Sequence, residues 1–148
     1  MYFKNSLLLV VLLLCFNCAE NNPLPYQDGK DTVFTAIPQS HSKIEFQNIV
    51  KETIDFNFLN YTYIYNGGGV AVGDINNDGL EDIYFTSNQN SNKLYLNKGN
   101  FVFEDITEQA RVEDATGWTT GVTMVDINND GWLDIYVCKS ASLKNRKA

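Results

Sequence analysis

A chain of 148 residues with 44% apolar and 13% aromatic side chains has room for one modest domain and enough apolar material for its core, which excludes a disordered composition. Its 18 Asp and Glu against 11 Lys and Arg give a formal charge of −7. A surface this acidic repels phosphates, so nucleic acid is excluded as a partner.

The N-terminus places Lys4 ahead of an apolar run, residues 7–14, and then reads Cys15-Phe16-Asn17-Cys18. The run falls short of the roughly 20 apolar residues that span a bilayer, but it suits a secretory signal. An apolar run ending at a cysteine resembles a bacterial lipoprotein signal, in which that cysteine becomes the acylated first residue. Residues 1–17 are therefore expected to be removed and Cys18 to be lipidated, because Asn17 ahead of it is smaller than the Leu14 that precedes Cys15. Acylation at Cys15 and a plain cleaved signal are the alternatives. Either acylation leaves the protein exported and held at the outer membrane or cell surface by lipid. With Cys18 acylated, Cys138 is left alone within an apolar strand and is expected to be a buried core residue, with no intrachain disulfide.

Residues 18–42 carry Pro23, Pro25 and Pro38 among Asn, Gln, Asp and Gly without periodicity, and read as a tether. The one histidine, His41, falls at its end and is expected to be solvated. Residues 44–50 alternate like a half-buried strand. They also resemble residues 101–107, Phe46 matching Phe103, Asn48 matching Asp105 and Ile49 matching Ile106. This is a third, partial repeat, read as the outer strand of a unit whose earlier strands are missing. Phe56, Phe58, Tyr61, Tyr63 and Tyr65 then suggest an extended segment packed across or between sheets. Gly67, Gly68 and Gly69 allow close backbone approach before a strand. No helix and no Lys-Ser/Thr follow, which argues against a phosphate-cradling loop.

The chain is organised around Asp74-Ile75-Asn76-Asn77-Asp78-Gly79-Leu80-Glu81-Asp82 and its near-copy 52 residues later, Asp126-Ile127-Asn128-Asn129-Asp130-Gly131-Trp132-Leu133-Asp134. Between residues 69–84 and 121–136, 11 of 16 positions are identical, so independent ordinary turns are a poor explanation. Hard-cation chemistry accounts for the spacing: oxygen donors at loop positions 1, 3, 5 and 9, a carbonyl at 7 and a sharp turn at the glycine in position 6. Calcium is the expected occupant, with one site per loop. An EF-hand would need Glu at position 12 and flanking helices. Here position 12 is Phe85 or Val137, and the flanks are short β-branched or aromatic runs, so the loops join strands.

After the first loop, residues 83–86 form a second strand and residues 87–92 a polar connection. Residues 93–97 pair with 101–107 through the turn at Lys98-Gly99-Asn100. Residues 108–111 are expected to form one helical turn capped by Thr107. Four short antiparallel strands in about 50 residues are the signature of a propeller blade, its first strand nearest the axis and its fourth outside.

The chain here resembles the FG-GAP/VCBS family, the calcium-loop β-propeller repeats of integrin α-subunits and many secreted bacterial proteins. The stretch Tyr65-Asn66-Gly67-Gly68-Gly69-Val70-Ala71-Val72-Gly73-Asp74 is also similar to the start of bacterial surface lipoproteins that carry an ASPIC/UnbV module further on. The resemblance implies calcium ligands at Asp74, Asn76, Asp78, Leu80 through its carbonyl and Asp82, and again at Asp126, Asn128, Asp130, Trp132 through its carbonyl and Asp134. The expected fold is all-β, an incomplete propeller of about one and a half blades plus a stray outer strand, within residues 43–138. Residues 139–148 read as a basic tail at a truncation point, leaving strand 134–138 as an open edge prone to self-association.

The function these features imply is a lipid-anchored, calcium-binding surface module for adhesion to a protein or glycan. The alternative is the non-catalytic propeller portion of an enzyme acting on a polysaccharide or another polymer. No candidate catalytic residue emerges, since the loop carboxylates would be committed to metal.

Overall fold

The computed structural model describes residues 33–114 and 117–140; the expected signal, Cys18, most of the tether and residues 141–148 lie outside the described residues. The compact unit that carries the repeats begins at Ile37, inside the stretch expected as a tether. Among the described residues no helix is long and apolar enough to cross a membrane.

The unit is all-β apart from two four-residue helical turns, Gln39–Ser42 and Thr107–Ala110. Strands β1 (Val70–Gly73), β2 (Asp82–Phe85), β3 (Lys93–Asn97) and β4 (Phe103–Asp105) form one antiparallel sheet in the order β1-β2-β3-β4. Strands β5 (Trp118–Val125) and β6 (Asp134–Ser140) form a second. A four-stranded meander and a two-stranded hairpin are consistent with part of a β-propeller.

Alternation along the strands sets the packing. Ala71, Tyr84 and Leu94 pair across β1, β2 and β3 and are buried on one face. Strand β1 lies beside β5, and glycine makes the approach possible. A Cβ on Gly69 would stand 2.7 Å from the Thr120 carbonyl oxygen, and one on Gly73 would stand 2.8 Å from a Leu133 methyl. A small core of Tyr61, Ile64 and Trp118, edged by Val50 and Phe56, closes one end, and the Tyr61 hydroxyl meets Ser140 at 2.7 Å.

Residues 44–50 do not form the expected outer strand. They run as a strap across the other face of the first sheet, where Phe46 stacks on Phe85 at 4.8 Å and the Glu45 amide donates to the Tyr95 hydroxyl at 3.2 Å. Half-buried alternation identifies an amphipathic extended segment, and it is satisfied equally by lying on a sheet or within one. The aromatic stretch departs from expectation too. It coils through turns because Asn57 accepts the amides of Leu59 and Asn60 at 3.0 and 3.2 Å and donates to the carbonyls of Thr53 and Ile54. Such side chain to backbone bonds compete with extended structure.

The helical turn after β4 starts one residue earlier than expected. Asp105, rather than Thr107, orients its start, accepting the Thr107 amide at 3.0 Å together with its hydroxyl. Strand β6 runs from Asp134 to Ser140, and within it Lys139 pairs with Asp114 at 2.7 Å. Cys138 is exposed, not buried. Among the described residues β6 pairs with β5 alone. His41, expected to be solvated, is exposed but hydrogen-bonds through Nε2 to the Asn100 carbonyl oxygen at 2.8 Å.

Candidate metal loops

Each loop joins the paired ends of two strands, so its ends are held in register. Gly73 faces Asp82 across β1 and β2, and Val125 faces Asp134 across β5 and β6. Within the first loop, Asp74 accepts the amides of Asp78 at 3.0 Å and Gly79 at 2.7 Å. Asn76 accepts the Asp78 amide at 3.1 Å and donates its own amide group to Asp78 at 2.9 Å, while Asp78 accepts the Leu80 amide at 2.9 Å. Asp82 reaches back to the Ile75 amide at 3.0 Å.

The second loop repeats every one of these bonds. Asp126 accepts from Asp130 at 3.1 Å and Gly131 at 2.9 Å, and Asn128 accepts from Asp130 at 3.0 Å and donates to it at 2.9 Å. Asp130 accepts from Trp132 at 2.9 Å, and Asp134 from Ile127 at 3.1 Å. The backbone agrees as well. Asn77 and Asn129 have φ of 57° and 60°, and Gly79 and Gly131 have φ of 84° and 88°, the left-handed conformation that Asn and Gly adopt most readily. Glu81, at loop position 8, is exposed.

The side-chain donors in both sets are oxygens: three carboxylates and one amide in each loop, the chemistry that suits a hard cation. Backbone amides already orient the carboxylates. Among the described residues no three His, Cys, Asp or Glu side chains converge as a metal centre by themselves. An ion in either loop would therefore draw on the Asn amide and the carbonyl of Leu80 or Trp132 as well.

Electrostatics differ between the loops. Asp82 is fully buried, and burial pushes its carboxyl above the ordinary value; the amides of Asn97 and Ile75 pull it back, and the charges of Asp78 and Asp74 push it up again. Asp130 is exposed and held below the ordinary range by the Trp132 amide and the Asn128 side chain.

Two residues outside the expected ligand sets also shape the loops. Asn97 on β3 donates its amide to Asp82 at 2.8 Å and its side chain to the Glu81 carbonyl at 2.9 Å, securing the loop's exit. Asn77 donates to the Gly131 carbonyl at 3.1 Å, linking one loop to the other. No signal in the sequence marks the second, since Asn129 at the matching position makes no such bond among the described residues.

Residues 74–137, which hold both loops, match the family model of the FG-GAP-like repeat. The chain is similar to cartilage acidic protein 1 of Xenopus tropicalis, at 40% identity over 72 residues, and of Homo sapiens, at 38% over 72; each match covers 48% of this chain and 11% of the relative. It is also similar to integrin alpha-8 of Gallus gallus, at 29% identity over a 129-residue alignment covering 74% of this chain and 12% of that protein. The chain thus spans about a tenth of the length of the curated relatives it matches.

Proposed function

We propose that this chain is a calcium-stabilised binding module of an exported, lipid-anchored surface protein. One calcium ion is held by Asp74, Asn76, Asp78, Asp82 and the Leu80 carbonyl. A second is held by Asp126, Asn128, Asp130, Asp134 and the Trp132 carbonyl. Cys18 carries the lipid, and the sheets present a rigid surface to a protein or glycan on the integrin-like adhesion pattern that the FG-GAP-like match suggests.

The observation that carries this reading is the repetition of one hydrogen-bond pattern, donor for donor, in two loops 52 residues apart. Turn formation alone needs Asn, Asp and Gly at one or two positions. It does not call for carboxylates at positions 1, 5 and 9 of both copies, where they repel one another. Bound calcium would supply the positive charge that offsets this repulsion. The chain's own residues fix the oxygens in place through backbone amides and bind the loop exits to the sheets.

Counting bound calcium by equilibrium dialysis tests the reading. Two ions are expected on the wild type, one each on Asp78→Ala and Asp130→Ala, and two on Glu81→Ala. A wild type that binds none would refute the calcium sites, and a lost ion in Glu81→Ala would refute the ligand register.

A further inference from the structure

We infer that Asn77 couples the two loops, so that calcium entering one raises the affinity of the other. This inference rests on the calcium reading above and adds a regulatory property to it. Asn77 stands between two candidate ligands, Asn76 and Asp78, and its side chain leaves its own loop to donate to the Gly131 carbonyl at 3.1 Å. That carbonyl belongs to the Gly131–Trp132 peptide, whose N–H donates to Asp130 at 2.9 Å. The preceding amide, that of Gly131, donates to Asp126 at 2.9 Å. One peptide group of the second loop is thus held on one side by its own ligands and on the other by the first loop.

An ion in the first loop fixes Asn76 and Asp78 and with them the backbone of Asn77. Its side chain then restrains the Gly131–Trp132 peptide, and the second loop orders with less entropy left to lose. Linkage makes the effect reciprocal. Asn129 occupies the same loop position with the same left-handed backbone, yet among the described residues its side chain makes no such bond. The coupling therefore belongs to position 77 alone among these loops.

Calorimetric calcium titration of the full chain tests this with Asn77→Gly and Asn129→Gly, substitutions that keep the left-handed backbone favourable. The wild type and Asn129→Gly should bind two ions, the second about two- to ten-fold more tightly than independent sites allow, the factor one net hydrogen bond supports. Asn77→Gly should still bind two ions, but independently. Adding Asp130→Ala should weaken the first loop by the same factor with Asn77 in place and leave it unchanged in the Asn77→Gly background. Two ions bound with unaltered coupling in Asn77→Gly would overturn this inference while leaving the calcium sites standing. No ion bound by the wild type would overturn the sites themselves, and the coupling with them.

Discussion

Asp82 accepts the backbone amide of Asn97 at 2.8 Å, so a buried carboxylate that ends the first loop also fastens it to β3. Its counterpart Asp134 is half-buried and, among the described residues, accepts only the Ile127 amide. Asp82→Ala leaves the amides of Ile75 and Asn97 without their acceptor, at about 1–3 kcal/mol for each one buried. We predict that Asp82→Ala lowers unfolding free energy by about 2–5 kcal/mol and Asp134→Ala by less than half of that. Urea denaturation in chelator measures both without interference from metal. Equal losses would mean that the bond to Asn97 contributes nothing.

The same environment makes a prediction about protons. Burial first, and then the charges of Asp78 and Asp74, raise the Asp82 carboxyl above its ordinary 3.8 despite the two amides that oppose them. The folded chain then holds this proton more tightly than the unfolded one. In chelator, its contribution to stability rises as pH falls through the raised folded value toward the unfolded one, and is constant outside that window. Calcium favours the carboxylate, so saturating calcium should move the Asp82 titration, followed by carboxyl carbon NMR, to lower pH. A titration at the same pH with and without calcium would place Asp82 outside the metal site.

The connection between β2 and β3 carries a buried polar network. Asn88 donates to the carbonyls of Gly67 at 3.0 Å and Thr119 at 2.8 Å and accepts from Asn48 at 2.7 Å. The Thr119 hydroxyl lies within hydrogen-bond distance of the Ser87 carbonyl and, at 2.8 Å, of the Asn92 side-chain oxygen, and its single proton serves one of them at a time. Removing one member of a buried polar network strands its partners. Asn88→Ala should cost about 2–4 kcal/mol, whereas Gln89→Ala, at an exposed neighbour, should cost under about 1 kcal/mol. Comparable costs from denaturation curves would contradict the assignment of this network to the fold's interior.

How much of this was legible in the sequence follows from the kind of interaction involved. Asp74 to Asp82 and the strands on either side were readable because local chemistry sets them: turn residues at fixed spacing between β-branched runs. Residues 87–92 read as a polar connection, and nothing in Ser-Asn-Gln-Asn-Ser-Asn reveals that Asn88 and Asn92 are buried against Thr119, a contact between residues about 30 apart. Alternation in 44–50 signals half-burial but not a strap, since Phe46 finds its partner Phe85 only in three dimensions. Cys138 departs from expectation for a similar reason. Apolar neighbours along a strand do not say which face another layer covers, and Cys138 stands exposed.

Close approach of β1 and β5 depends on a missing side chain. A Cβ on Gly69 would lie 2.7 Å from the Thr120 carbonyl oxygen and 3.1 Å from the Val122 amide nitrogen, both backbone atoms with little room to yield. We expect Gly69→Ala to destabilise by about 1–3 kcal/mol, the usual cost of overpacking. An unchanged thermal midpoint would show that the two strands are not this close in solution.

Calcium held in both loops should stabilise the fold, and thermal unfolding with and without chelator measures that stabilisation. Extracellular calcium modules bind at roughly 10⁻⁴–10⁻³ M, and an ion at a hundred times its dissociation constant adds about 2.7 kcal/mol per site. The midpoint should therefore rise with calcium in the wild type, rise by less in Asp78→Ala and Asp130→Ala, and not move when both substitutions are combined. Superimposable wild-type melting curves in calcium and in chelator would mean that calcium does not stabilise this fold.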